Sequence, residues 1–178
     1  NGFFAKYAII PEKNAWKNPK GMKPEIATLQ ESMGNSVYTV TSQEVKDKII
    51  AVFGCGPTGL FAIGAAKALG AKKIIAVAGT KIHIKIAKKM GANIIIDRHE
   101  QDPLKVIEDE TNEKGADVAL EMSGSPEALK QALKCVKPTG SVAVLGLPTK
   151  EISIDVSKDI VLKDLTLRGV YGRKIWDT

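Results

Sequence analysis

Residues 54–59 read Gly-Cys-Gly-Pro-Thr-Gly, the stretch of this chain whose residue types and spacing point most directly to chemistry. In a G-x-G-x-x-G turn the first glycine, Gly54, permits a sharp bend. Gly56 removes a side chain where a pyrophosphate must approach the backbone, and Gly59 lets the next helix lie close to its strand. Pro57 and Thr58 complete the turn. Its exposed amides and the positive helix end favour a diphosphate. The motif carries weight only between a strand and a helix; IIAVF before it and PTGLFAIGAAKAL after it supply that setting.

A second stretch, IIAVAGTKIHIK (residues 74–85), is informative for what it lacks. Dinucleotide-binding folds place an Asp or Glu near the end of the second strand. There it chelates the adenosine ribose hydroxyls and repels a 2′-phosphate, selecting NAD over NADP. Here the place is held by Ala78, Gly79, Thr80 and Lys81. Chelation and repulsion are both lost. Thr80 can donate a hydrogen bond, and Lys81 and Lys85 can offer charge-assisted bonds to a phosphate. The local chemistry predicts that NADP binds within about tenfold of NAD, a gap of about 1.4 kcal/mol or less. The alternative is that Lys81 is simply solvated in a helix's first turn.

Other reactive types are sparse. Arg173, after Gly172 near the strand ends, can pair with a phosphate or form a surface salt bridge. His83 and His99 read as surface residues, Cys55 as a small turn residue and Cys135 as helix core. Glu121, late in a strand, is a candidate supporting polar group. Trp16 and Trp176 read as packing residues. The two cysteines are too few for a disulfide framework or zinc cluster, and a reducing, cytoplasmic setting is the simplest expectation. No metal site is expected from these residues.

The elements that must position the turn follow from apolar runs alternating with helical segments. IIAVF (49–53) reads as a strand buried on both faces. Helix Pro57–Leu69 should turn Leu60, Ile63 and Ala68 to the sheet. IIAVA is a second strand, and the next helix should bury Ile82, Ile86 and Met90 at four-residue spacing. NIIID, ADVALEM and GSVAVLG give three more strands, PLKVIEDE and SPEALKQALKCV two more helices. Pro138-Thr139-Gly140 reads as the tight turn between helix and strand. FFAKYAII, ISIDV and LTLRGVYG are further strand candidates, and ATLQESMGNSVYTVTSQEV is helical. The predicted fold is α/β: a Rossmann-type, doubly wound parallel sheet in the order 3-2-1-4-5-6.

Bulk properties narrow the class. The net charge is +6, but seven lysines and no acidic residue lie between Leu60 and Ile96, and elsewhere 19 basic residues face 20 acidic ones. The basicity is local, and without interleaved aromatics or arginines it argues against nucleic acid. No apolar run approaches the length of a membrane span, and the first residues do not read as a signal peptide. Methyltransferase sheets also use a glycine-rich first turn but carry an acidic residue two positions before the first glycine. Here that residue is Val52.

With the alternation established, the chain resembles the zinc-containing medium-chain dehydrogenases, most nearly their threonine dehydrogenase branch. VFGCGPTGLFAIGAAKALGA, LEMSGSPEAL and VAVLGLP look like the family's three cofactor-side turns. NAWKNPKGMKPEIATLQESMGNSVYTV and LTLRGVYGRKIWDT resemble narrower segments at either end, and the similarity spans nearly the whole chain. The resemblance implies cofactor contacts from Ser123, Gly124, Leu145, Gly146 and Leu147, and places Glu31 beside the catalytic zinc of the intact enzyme. It implies NAD as cofactor, L-threonine as substrate of the intact enzyme, and a homo-oligomer, a tetramer in the intact enzyme. Residues 1–33 would be the end of a catalytic domain and its linker, 34–178 the NAD(P)-binding domain. The zinc would come from a domain outside this chain, which by itself is expected to be inactive. A polyol or secondary-alcohol dehydrogenase and a non-catalytic nucleotide-binding module remain alternatives.

Overall fold

At the centre of the sheet lies β1 (Ile49–Phe53), whose last four residues are all buried. A strand apolar on both faces needs cover on both, which a parallel sheet with flanking helices provides. The computed structural model describes residues 3–174. The chain divides into two compact units, Asn1–Gln30 and Glu31–Thr178. The first holds a single 3-10 turn at Glu12–Asn14 and the short helix α1 (Pro24–Ala27). FFAKYAII is not a strand: residues 3–10 are irregular and exposed, with no neighbouring strand to accept their ladder bonds.

The second unit is the α/β body. Its elements run α2 (Gln30–Thr41), β1, α3 (Pro57–Ala68), β2 (Lys73–Ala78), α4 (Lys81–Met90), β3 (Ile94–Asp97), α5 (Pro103–Glu110), β4 (Ala116–Glu121), α6 (Pro126–Cys135), β5 (Val136–Val144), α7 (Val156–Asp159) and β6 (Thr166–Gly169). The six strands are parallel and ordered β3-β2-β1-β4-β5-β6, as the sequence predicts. One apolar cluster packs Ile50 and Val52 against Ile63, Ala66 and Ala87. The opposite face packs Ala51 and Phe53 with Ile107, Ala132 and Leu133.

Several details differ from expectation. Ala68 and Ile82 face solvent; α3 buries Gly59, Ala62, Ile63 and Ala66, while α4 buries Ala87 with Ile84 and Met90 half-buried beside it. Helix α2 ends at Thr41, several residues before the reading had it. ISIDV forms no strand; Asp155 instead accepts from the Lys158 amide and caps α7. Pro138-Thr139-Gly140 does not connect α6 to a strand. Val136 pairs with Ala116 as soon as α6 ends, and residues 137–140 loop out before Ser141 pairs with Val118, with Thr139 at φ 63°. The carbonyls ending α6 find another partner. Lys163 Nζ donates to the carbonyls of Leu133, Lys134 and Val136 at 2.9, 2.7 and 2.9 Å.

Candidate functional site

The carboxyl ends of all six strands open on one edge of the sheet, and the strand order reverses between β1 and β4. In such sheets the crevice at that reversal is where ligands bind. The ladder continues past the strands and fixes the crevice walls. The Gly54 amide donates to Val77 O at 3.1 Å, Met122 N to Phe53 O at 2.9 Å, and Leu145 N to Glu121 O at 2.9 Å. Arg98 N donates to Ala78 O at 3.0 Å and Val170 N to Val144 O at 2.8 Å.

The glycine turn has the shape its spacing predicts. Gly54 sits at φ +93°, a left-handed conformation that any other residue would hold under strain. A Cβ there would also lie 2.6 Å from Ser123 Cβ, and one on Gly59 would strike the Gly54 carbonyl. A Cβ added to Gly56 would meet nothing within 4 Å, so this face of the turn is open. Behind it starts α3, with Pro57 at its first position and the Thr58 and Gly59 amides unbonded within the helix. An open backbone face at the positive end of a twelve-residue helix fits a diphosphate. Cys55 lies beneath the turn, its Sγ donating to Val77 O at 3.5 Å, and burial pushes its thiol up to about 12.

Two clefts flank the turn and share Ser123. The larger, about 600 Å³, is lined by Gly54, Gly79, Thr80, His83, Arg98 and His99, with Ser125 and Glu127 from the α6 end. The other, about 510 Å³, is lined by Glu31, Asn35, Thr58, Leu145, Gly146, Leu147 and Tyr171 among others. Between them runs a buried polar support. Glu121 is fully buried, and its carboxylate accepts from the Ser123 amide at 2.8 Å, the Ser123 hydroxyl, and the Gly124 amide at 3.0 Å. Gly124 turns at φ +72° against Leu147, and a Cβ on Gly146 would meet the Gly124 amide and the Glu121 carboxylate. The carboxylate thus fixes the β4 turn, while the backbone carbonyl of the same residue accepts from the Leu145 and Gly146 amides and ties in the β5 turn.

Not every predicted site residue reaches a cleft. Lys81 opens α4 and points to solvent, outside the lining of both clefts. Thr80 lines the larger cleft while its Oγ1 accepts from His83 N at 3.3 Å. Arg173 also lies outside both linings: its guanidinium rests against Gly34, and Nη1 donates to Glu31 O at 2.8 Å, tying the segment after β6 to α2. Glu31 faces the second cleft, its carboxylate accepting from Asn35 and Ser32. Among the described residues no three His, Cys, Asp or Glu side chains gather to hold a metal, so Glu31 stands without companion ligands and zinc does not fit here. Trp176 lies outside the described residues. Sequence reasoning missed Arg98 altogether. The signal was available, since Arg98 directly follows the NIIID run and therefore sits at a strand's carboxyl end.

Comparison with known proteins places this geometry. The family model described as zinc-binding dehydrogenase matches residues 57–178. The chain belongs to the zinc-binding dehydrogenase family. Among curated relatives, L-threonine 3-dehydrogenase of Thermococcus kodakarensis is 46% identical over 178 residues, covering 100% of this chain and 51% of that protein. The enzyme of the same name from Bacillus subtilis is 41% identical over 177 residues, covering 99% of this chain and 51% of that one. The crystal structure of 2R,3R-butanediol dehydrogenase from Bacillus subtilis superposes with a TM-score of 0.81 at 35% identity, over 90% of this chain and 46% of that one. This zinc-binding dehydrogenase chain spans about half the length of the curated relatives it matches. No helix among the described residues is long and apolar enough to cross a membrane.

Proposed function

We propose that this chain is the nicotinamide-dinucleotide-binding half of an L-threonine 3-dehydrogenase. The intact enzyme would oxidise threonine to 2-amino-3-oxobutanoate. The observation that carries the reading is similarity to threonine dehydrogenases at 40–46% identity across the whole chain, joined to an open diphosphate cradle at Gly56. Residues 1–33 would then belong with the catalytic half and 34–178 with the cofactor half. A bound nicotinamide ring would supply hydride-accepting chemistry.

The chain's own residues bind and orient. The Gly54–Gly59 turn and the start of α3 take the pyrophosphate through backbone amides. Gly79 and Thr80 border the adenosine ribose in the larger cleft. Ser123, Gly124, Leu145, Gly146 and Leu147 form the nicotinamide wall, and Glu121 keeps that wall rigid. Glu31 borders the second cleft, where the catalytic half would meet it. Zinc and its remaining ligands would come with that half. The two buried free thiols suit a reducing, cytoplasmic setting.

A second reading, a polyol or secondary-alcohol dehydrogenase, draws support from the 35% identity to butanediol dehydrogenase. Steady-state assay of the full-length enzyme with threonine and a panel of diols separates the two. Threonine should give the highest kcat/KM; a diol preferred over threonine would move the assignment to the second reading. The 178-residue chain alone should bind dinucleotide and reduce none of it with threonine. Metal-dependent turnover by this chain alone would refute the half-enzyme reading.

A further inference from the structure

The corner between the ends of β2 and β3 carries a feature that the dinucleotide reading leaves unused. Gly79 stands where a ribose-chelating carboxylate is expected, and the Arg98 side chain lies over it. A Cβ on Gly79 would be 2.5 Å from Arg98 Nε, 3.2 Å from Cζ and 3.3 Å from Nη2. An acidic side chain at 79 and Arg98 in this position exclude each other. The Gly79 backbone is not left-handed, so the turn itself admits a side chain here, and one would push the Arg98 guanidinium aside.

Arg98 is also placed and available. Its amide is pinned to Ala78 O, which sets it beside the end of β2. No ion pair or side-chain hydrogen bond joins its guanidinium to any described residue. The nearest carboxylate in sequence, Asp97, accepts from the His99 amide at 3.0 Å. Thr80 Oγ1 accepts from His83 N, leaving its hydroxyl proton to donate elsewhere. Glu127, the one acidic residue lining this cleft, enters from the first turn of α6.

We propose that Arg98, with Thr80, forms a 2′-phosphate site, and that this domain prefers NADP to NAD. The inference rests on the dinucleotide reading above and adds the selectivity. A planar guanidinium presents parallel N–H donors that match phosphate oxygens, and these charge-assisted bonds exist only with the phosphorylated ribose. Lys81, the residue the sequence offers for this task, lies outside the cleft lining.

Calorimetric titration of the protein with NADP, NAD, adenosine 2′,5′-diphosphate and 5′-AMP tests it; the last two differ only in the 2′-phosphate. NADP should bind about tenfold or more tighter than NAD, with a similar ratio for the smaller pair. Arg98→Leu should collapse both ratios to within about twofold, weakening only the two 2′-phosphorylated ligands, and Arg98→Lys should restore part of the difference. Gly79→Asp provides an independent variant, since it displaces Arg98 and repels the phosphate; it should reverse the preference towards NAD. The proposal is overturned if NAD binds as tightly as NADP, or if Arg98→Leu leaves the ratio unchanged. Binding of neither dinucleotide by protein with native circular dichroism would instead bring down the dinucleotide reading, and this inference with it.

Discussion

At the scale of single residues, two glycines three positions apart have opposite jobs. Gly56 has open space around it, whereas Gly59 is pressed against the Gly54 carbonyl. Gly56→Val should leave the melting temperature nearly unchanged and weaken dinucleotide binding by about tenfold or more, read by calorimetry. Gly59→Val should unfold first, losing about 1–3 kcal/mol in denaturant titration because the backbone must shift to admit it. The buried thiols give a pH signature. Burial raises both Cys55 and Cys135 from 9.0 to about 12, so between those values the folded protein holds protons that the unfolded chain has released. Their contribution to stability is intact below pH 9 and is lost as pH climbs towards 12, at about 1.4 kcal/mol per pH unit for each thiol. Urea midpoints measured across that window should fall, and fall less steeply in the Cys55→Ala, Cys135→Ala double variant.

At the scale of elements, α4 shows where pattern reading succeeds and where it slips. The helix was legible, and so were all five strands from IIAVF to GSVAVLG, because runs of β-branched residues between turn residues permit little else. The phase of the helix was not. Isoleucine at 82, 84 and 86 offers two competing faces, and contact with α3 decides between them by burying Ala87. Ile82 stays 63% exposed. Ile82→Ser should therefore change stability by less than about 0.5 kcal/mol, while Ala87→Leu should cost about 1–3 kcal/mol in the same denaturant assay. ISIDV alternates like a strand yet has no edge to join, and the β5 excursion depends on pairing with Ala116, which no local sequence encodes. In the site, the glycine turn was readable because its spacing is its mechanism. Glu121 was readable as a supporting polar group from its place late in a strand; the lie of Arg98 over Gly79 was not, because the pairing of β2 with β3 brings the two together.

At the scale of the whole molecule, β6 matters most. It ends the sheet, pairs only with β5, and all four of its residues are exposed, Leu167 among them. An open edge of this kind invites pairing with another strand, and a second copy of the chain is the partner the family resemblance suggests. Sedimentation velocity should show an oligomer that Leu167→Asp dissociates; a monomer insensitive to that change would exclude β6 as the contact.

The pairing of β1 with β4 carries a consequence for how the molecule assembles. Ile49 N donates to Asp117 Oδ2 at 2.7 Å across 68 residues of chain at the amino ends of the two strands, and the crevice opens at the opposite, carboxyl end of the same pair. Helices and neighbouring strands within each half can form from local contacts, but neither half alone owns a binding site. Closing so long a loop is a slow step of folding. During refolding, recovered dinucleotide binding should therefore lag the return of the far-ultraviolet circular dichroism signal, timing the docking of the two halves rather than the growth of secondary structure.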